Sequence, residues 1–323
     1  MTDQPLTLDL GTLPQGELRR VMTAEEATAL IGTTVPTLPP TRSLRDGGLW
    51  HDADTGEPVL GIYPCEELPT LRQAILSVQD SMKPGSTLRA TGARNTSVTF
   101  GYRPRKPMMS QEGCVLTAFN RDYPSVAAFL AHYSEVLAAQ VARTFPEVEA
   151  AAQEAVQEVL PDWRLSSSSA WTSGVINRES SLPYHRDGNN FEAWSVMPVI
   201  RRAVTGGHLH IPEYGITVPC RDGYSVAFFG KRLVHGVTPM RKTAPDGYRI
   251  SVVYYALQGL KDCHTFAEET AYARRRRAER EDALGANGFK GKRILTTESR
   301  PSPGSADRRG SWSNPTPVPT SEA

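Results

Sequence analysis

The sequence predicts an α+β protein with helices packed on the outside of a jelly-roll sheet, a double-stranded β-helix of the cupin-like kind. Three observations lead there. Apolar residues at helical spacing cluster in the first half, over 68–82 and 122–160. From Trp163 to Leu257 the pattern becomes short period-two runs broken by Gly, Pro, Asn and Asp. Within those runs, two histidines and an aspartate are spaced as if several strands aimed them at one point.

Along the chain, Thr23-Ala24-Glu25-Glu26 reads as a capping box opening a short helix to about Ile31, stopped by Pro36, Pro39 and Pro40. Short strands are predicted around Leu49-Trp50-His51 and Val59 to Tyr63. His51 reads as a strand-end residue. A helix follows from about Leu68 to Met82, with Leu71, Ile75 and Val78 on one face. Residues 83–110 form a basic loop carrying Arg89, Arg94, Arg103, Arg105 and Lys106. Pro124 suits a first helical turn. Val126, Phe129, Leu130, Tyr133, Val136, Leu137 and Val141 make an apolar stripe after it, and Pro146 opens a second helix through Leu160. Trp171 and Val175 then alternate with polar neighbours. Phe191 to Ile200 and Tyr224 to Gly230 read as strands, with Trp194 able to stack or pack. Asp222-Gly223 is a hairpin signal. Phe266 to Leu284 is a charged helix containing Arg274 to Arg277 and Arg280. The predicted divisions are an arm and wrapping segment over 1–120, helices and catalytic core over 121–264, a basic helix over 265–284, and a disordered tail over 285–323.

Composition narrows the classes. No run of 18 apolar residues exists, so no transmembrane helix is expected. Met1 to Pro5 lacks the basic start and apolar core of a signal peptide. Cys65, Cys114, Cys220 and Cys263 are scattered without a C-x-x-C and read as reduced thiols, which places the chain in the cytoplasm. Net charge is +1. It is unevenly spread: residues 1–180 hold 15 Lys+Arg against 21 Asp+Glu, and residues 181–323 hold 21 against 14. A positive half can face phosphates, and it can equally be solvated surface.

The chemistry concentrates in Tyr184-His185-Arg186-Asp187-Gly188-Asn189-Asn190, Val234-His235-Gly236 and Tyr248-Arg249-Ile250-Ser251. Residues i and i+2 of a strand share a face, so His185 and Asp187 reach one ion while Arg186 turns away. His235, 48 residues after Asp187, has to come from another strand. Two imidazoles and one carboxylate, with no thiolate, suit Fe(II) with positions left open for a co-substrate and oxygen. Arg249 lies in a β-branched and aromatic run, where a buried charge needs a partner. The far carboxylate of 2-oxoglutarate is a fitting one, with Ser251 on the same strand face. His208 and His210 are the rival ligand pair, and nothing like Arg249, at the head of a β-branched and aromatic run, follows them at the right separation.

This pattern resembles the Fe(II)/2-oxoglutarate dioxygenase superfamily. More narrowly it resembles the TET/JBP branch, through His185-Arg186-Asp187 followed by Asn190, through Gly206 to Gly215, and through Phe228 to Gly236. A fainter echo runs from Thr99 to Arg105. The resemblance implies iron on His185, Asp187 and His235, 2-oxoglutarate and O2 as co-substrates, and oxidation of the methyl group of 5-methylcytosine or thymine in DNA. The target base would be flipped from the stack. Arg94 is the candidate second co-substrate contact. Asn190, with Asn189, Trp194 and Arg103, is the candidate substrate contact; Asn189 and Asn190 read equally well as a turn. A free nucleoside, nucleotide or other small molecule is the alternative substrate. A jelly-roll binding protein with a vestigial site is the third reading. No membrane and no obligate protein partner is expected.

Overall fold

A computed structural model describes residues 13–81, 97–106, 112–179 and 181–286. Arg89, Arg94 and the expected tail beyond 286 lie outside the described residues. The elements in order are β1 (Gln15–Leu18), α1 (Ala24–Thr28), β2 (Gly48–Asp52), β3 (Pro58–Pro64), α2 (Leu68–Val78), β4 (Ser97–Arg103) and β5 (Val115–Leu116). Next come α3 (Ala118–Asp122), α4 (Pro124–Thr144), α5 (Pro146–Ala155), β6 (Ser173–Arg178), β7 (Leu182–His185), β8 (Ser195–Arg202), β9 (Val204–Gly206) and β10 (Leu209–Ile211). Then follow β11 (Ile216–Val218), β12 (Tyr224–Phe228), β13 (His235–Val237), β14 (Met240–Lys242), β15 (Tyr248–Tyr255) and α6 (Phe266–Ala286).

The chain divides into two compact units, one of residues 1–104 and 115–263, the other of 105–114 and 264–323. In the first, a nine-stranded sheet has the order β1-β2-β3-β12-β8-β15-β6-β4-β5, and a four-stranded sheet the order β11-β10-β13-β7. Core strands pass back and forth between the two, except that β10 and β11 follow one another as an antiparallel pair within the small sheet. β6, β8, β12 and β15 lie in the large sheet, and β7, β10, β11 and β13 in the small one. That winding is the double-stranded β-helix, and its core pairings are all antiparallel.

Alternation along β15 assigns the faces. Ile250, Val252 and Tyr254 point outward and join one apolar cluster with Leu130, Tyr133, Leu137 and Val141 of α4. Each such side chain, fully buried, contributes about 1.5–3 kcal/mol. The α4 stripe read from the sequence is therefore the face that docks the helix on the sheet. A second cluster, including Leu60, Ile62, Val199, Leu209, Ile211, Val218 and Val226, fills the space between the sheets.

The arm is bound more tightly than composition suggests. The Thr23/Glu26 capping box is present. Gly32 donates its N–H to the Tyr184 carbonyl (2.8 Å), and Tyr184 donates to that of Thr33 (3.0 Å), so the arm lines the back of β7. Further along, Asp52 is buried and accepts from Tyr214 Oη (2.6 Å), Arg20 Nε (2.8 Å), and the N–H groups of Asp54 and Thr55. Burial pushes its pKa up, and these donors outweigh burial and hold it well below the usual carboxylate range. A depressed folded pKa means stability that is present above about pH 4 and lost as pH falls through the folded value. Asp52→Asn should therefore lower the melting temperature at pH 7 and reduce its decline with acid, read from thermal melts between pH 7 and 3. An unchanged acid decline would count against this anchor.

Several expectations need correction. The second long helix stops at Ala155, where Val156 leaves helical geometry at φ −105°, ψ 10° and its N–H is shared between the Ala152 and Glu154 carbonyls. β8 begins at Ser195, not Phe191: Asn190 bridges to Leu257 and Phe191 donates to the Ala256 carbonyl, which pins this segment beside the chain that leaves β15. Asp222-Gly223 is not a hairpin, since β11 and β12 belong to different sheets. Cys65 and Cys220 are free thiols, whereas Cys114 and Cys263 are oxidised, against the expectation of four reduced thiols.

In the second unit, α6 carries a buried glutamate. Glu269 accepts from Arg105 and from the N–H groups of Cys114 (2.8 Å) and His264 (2.9 Å). Among the described residues no helix is long and apolar enough to cross a membrane.

Candidate metal centre

Register explains how the two histidines meet. His185 at the end of β7 is directly opposite His235 at the start of β13 in an antiparallel pair. Opposed residues in such a pair project to the same side. Their rings lie with centroids 4.3 Å apart. Asp187, two residues past His185, brings its carboxylate to 3.8 Å from His185 Nε2 and 3.9 Å from His235 Nε2. One ligand atom from each of the three lies within 4.8 Å of the others, the spread that one ion spans.

The surroundings fix which nitrogens face the ion. His185 Nδ1 is 2.9 Å from the Pro183 carbonyl, and His235 Nδ1 is 3.0 Å from that of Leu233. A carbonyl only accepts, so each Nδ1 carries the proton and each Nε2 presents a lone pair. Burial, and secondarily the adjacent His185, push the His235 pKa down to about 4, against a smaller upward pull from Asp187. His235 is thus held neutral, the form that ligates metals.

A cavity of about 340 Å³ opens over this set. Its floor is the inward face of β15, where Arg249, Ser251, Val253 and Tyr255 alternate with the outward core residues. Arg249 is 1% exposed, and among the described residues its Nε and Nη2 have no hydrogen-bond partner. Its Nη1 makes a long hydrogen bond to Ser251 Oγ at 3.5 Å. A buried guanidinium with open donors costs several kcal/mol unless an anion completes it. A carboxylate matches its fork geometry. The residues present therefore fit both an Fe(II) ion and a dicarboxylate co-substrate. Behind Arg249, Gly207 adopts φ +67°, and a Cβ there would stand 2.6 Å from Arg249 Cδ. At Gly206, with φ +71°, a Cβ would run into the Pro239 carbonyl, so each of the paired glycines has its own constraint.

The other predicted residues divide. Asn190, buried, and Asn189, exposed, both line the cavity near the metal set. Trp194 does not. It is 2% exposed in the core, beside Phe145 and Phe229, so its expected role at the substrate is corrected to packing. Arg103 ends β4 and is not among the residues that line the cavity. Arg94 lies outside the described residues. His208 and His210 form no ligand set: His208 Nδ1 accepts from the Cys220 N–H, and His210 Nδ1 meets Tyr184 Oη at 2.7 Å. Sequence reasoning missed Asn177, which lines the cavity directly across from Ser251. A polar residue two positions after Val175, on the strand face opposite Ile176, was the available signal.

No protein-family model matches the chain, and no curated protein matches it either. Solved structures do. One described as NgTET1 in complex with 5mC DNA aligns with TM-score 0.53 and 14% identity, over 76% of this chain and 95% of that one. OsALKBH1 aligns with TM-score 0.36 and 12% identity, over 62% of this chain and 98% of that one. The viral collagen prolyl hydroxylase of Paramecium Bursaria Chlorella virus-1 aligns with TM-score 0.33 and 10% identity, over 69% and 96%. The latter two are too loose to carry an argument, and at 14% identity the first bears on architecture alone. With the alternating winding described above, it gives the chain its place: it has the double-stranded β-helix fold of the NgTET1 structure.

Proposed function

We propose that the protein is an Fe(II)- and 2-oxoglutarate-dependent dioxygenase that oxidises the methyl group of a modified pyrimidine in DNA, 5-methylcytosine first and thymine next. The observation that carries the co-substrate is Arg249, a buried guanidinium with open donors in the same cavity as His185, Asp187 and His235. Bound iron would couple decarboxylation of 2-oxoglutarate to hydroxylation of a C–H bond. The chain's own residues do the rest. Arg249 and Ser251 orient the far carboxylate, the imidazole tautomers keep both Nε2 atoms forward, and the apolar walls from Val175, Met197, Leu209 and Phe228 limit water.

DNA as substrate is supported by the fold shared with a TET structure described as a complex with 5mC DNA. Asn190 at the cavity wall also supports it, since an amide offers the paired donor and acceptor that read a base edge. A net charge of only +1 favours the second reading, a free nucleoside or another small molecule. The test is anaerobic loading with Fe(II) and 2-oxoglutarate, then air and a methylated duplex, with the digested nucleosides read by mass spectrometry. Gain of one oxygen on 5-methylcytosine, absent with His185→Ala, is the expected result. Succinate formed without any modified nucleoside would overturn the DNA assignment and leave the small molecule.

A further inference from the structure

Glu213 is 1% exposed, and among the described residues one of its carboxylate oxygens, Oε2, has no hydrogen-bond partner. The sequence places it in a single tight turn. β10 ends at Ile211, Pro212 starts a 3-10 turn to Tyr214, and Gly215 closes it in the left-handed region at φ +59°. The turn places Glu213 in the lining of a second cavity of about 240 Å³, with Arg20, Ala24 and Leu233, and not among the residues that line the metal-site cavity.

From there Glu213 touches both ligand-bearing segments. Oε1 accepts the backbone N–H of Val234 (2.9 Å), the residue immediately before His235. The same oxygen lies 3.6 Å from Nη2 of Arg186, the residue between His185 and Asp187. Arg186 Nη2 also donates to the Ala24 carbonyl (3.2 Å), and the Glu213 carbonyl accepts from Val21 (2.8 Å) and Met22. A carboxylate removed from water is costly to keep unless its contacts return the cost. The contacts here converge on three segments: β7 with its following turn, the lead into β13, and the N-terminal arm.

We propose that Glu213 is a positioning residue for the metal centre, setting the spacing of the His185/Asp187 segment against the His235 strand through Arg186 and the Val234 N–H. This rests on the reading of His185, Asp187 and His235 as metal ligands. Glu213 is not one of the three candidate ligands and is not among the residues that line their cavity. The arm is the third body in the arrangement, so residues 21–24 serve as a back plate to the ligands.

The test uses the full chain and Co(II) as the probe, because its visible absorption reports coordination geometry without turnover. Glu213→Gln keeps an acceptor for Val234 but loses the charge facing Arg186. Arg186→Gln removes the other partner. Groups behind metal ligands typically change metal affinity 10–100-fold. Both variants should bind Co(II) about 10-fold or more weakly, with a shifted spectrum, while melting close to the wild type without metal. Glu213→Asp, which keeps the charge, should recover part of the affinity. Wild-type affinity and spectrum in both glutamine variants would overturn the inference and leave Glu213 a staple for the arm. If the wild type binds Co(II) no better than His185→Ala does, the metal reading itself fails, and this inference with it.

Discussion

Arg249→Met should raise the concentration of 2-oxoglutarate needed for half-saturation by about 100-fold or more. Methionine fills much of the same volume and carries no donor. The wild-type side chain is buried at 1% exposure and, among the described residues, Nε and Nη2 are open, so a bound carboxylate would be the strong partner on that side. Hydrogen bonds to charged groups are worth about 1.5–3 kcal/mol each, and two of them correspond to a factor of roughly 100 or more. Arg249→Lys should fail to restore binding fully, because an ammonium is a point charge without the planar fork. Calorimetric titration of 2-oxoglutarate into the metal-loaded protein measures this directly. Metal affinity should stay as in the wild type, since Arg249 contacts none of the three ligands. Unchanged 2-oxoglutarate affinity in Arg249→Met would remove the anchor from the proposal.

The second large effect is expected at a residue with no functional group. The Asp187 N–H donates to the Gly230 carbonyl at 2.9 Å. A Cβ on Gly230 would stand 2.5 Å from Asp187 Oδ2 and 3.4 Å from Ser195 Oγ. The carboxylate has to swing away or the turn has to open. Gly230→Ala should therefore weaken metal binding by about 10–100-fold, the range for disturbed support of a ligand. The melting temperature of the metal-free protein should change little, because the clash is with a side chain that can rotate. Metal titration and a thermal melt on the same preparation separate the two. Full metal affinity in Gly230→Ala would show that Asp187 does not bind as a ligand in this rotamer.

Much of this centre was legible because its key relations are local. His185 and Asp187 share a face by strand period alone, as do Arg249 and Ser251, and the apolar run around Arg249 announces that its charge needs a partner. The capping box at Thr23 and the α4 stripe were readable for the same reason. What was not legible depends on tertiary register. Trp194 precedes a strand in a sheet covered on both faces, where nothing in the local pattern tells cavity from core. Arg103 shares a strand with Thr99, which does line the cavity, yet it lies at the strand's end. Glu213 meets Val234 and Arg186, 21 and 27 residues away in sequence, only after the two sheets have wound around each other. Gly230 looks like any turn glycine until Asp187 is placed against it.

The central claim is a three-residue iron site that uses 2-oxoglutarate. It is tested most directly by following conversion of 2-oxoglutarate to succinate in air, with Fe(II) supplied or chelated, for the wild type and His235→Ala. The predicted result is succinate formation that requires Fe(II) and disappears in His235→Ala while that variant stays folded. A folded wild type that binds Fe(II) but forms no succinate above the chelated control, with or without methylated DNA, would contradict it.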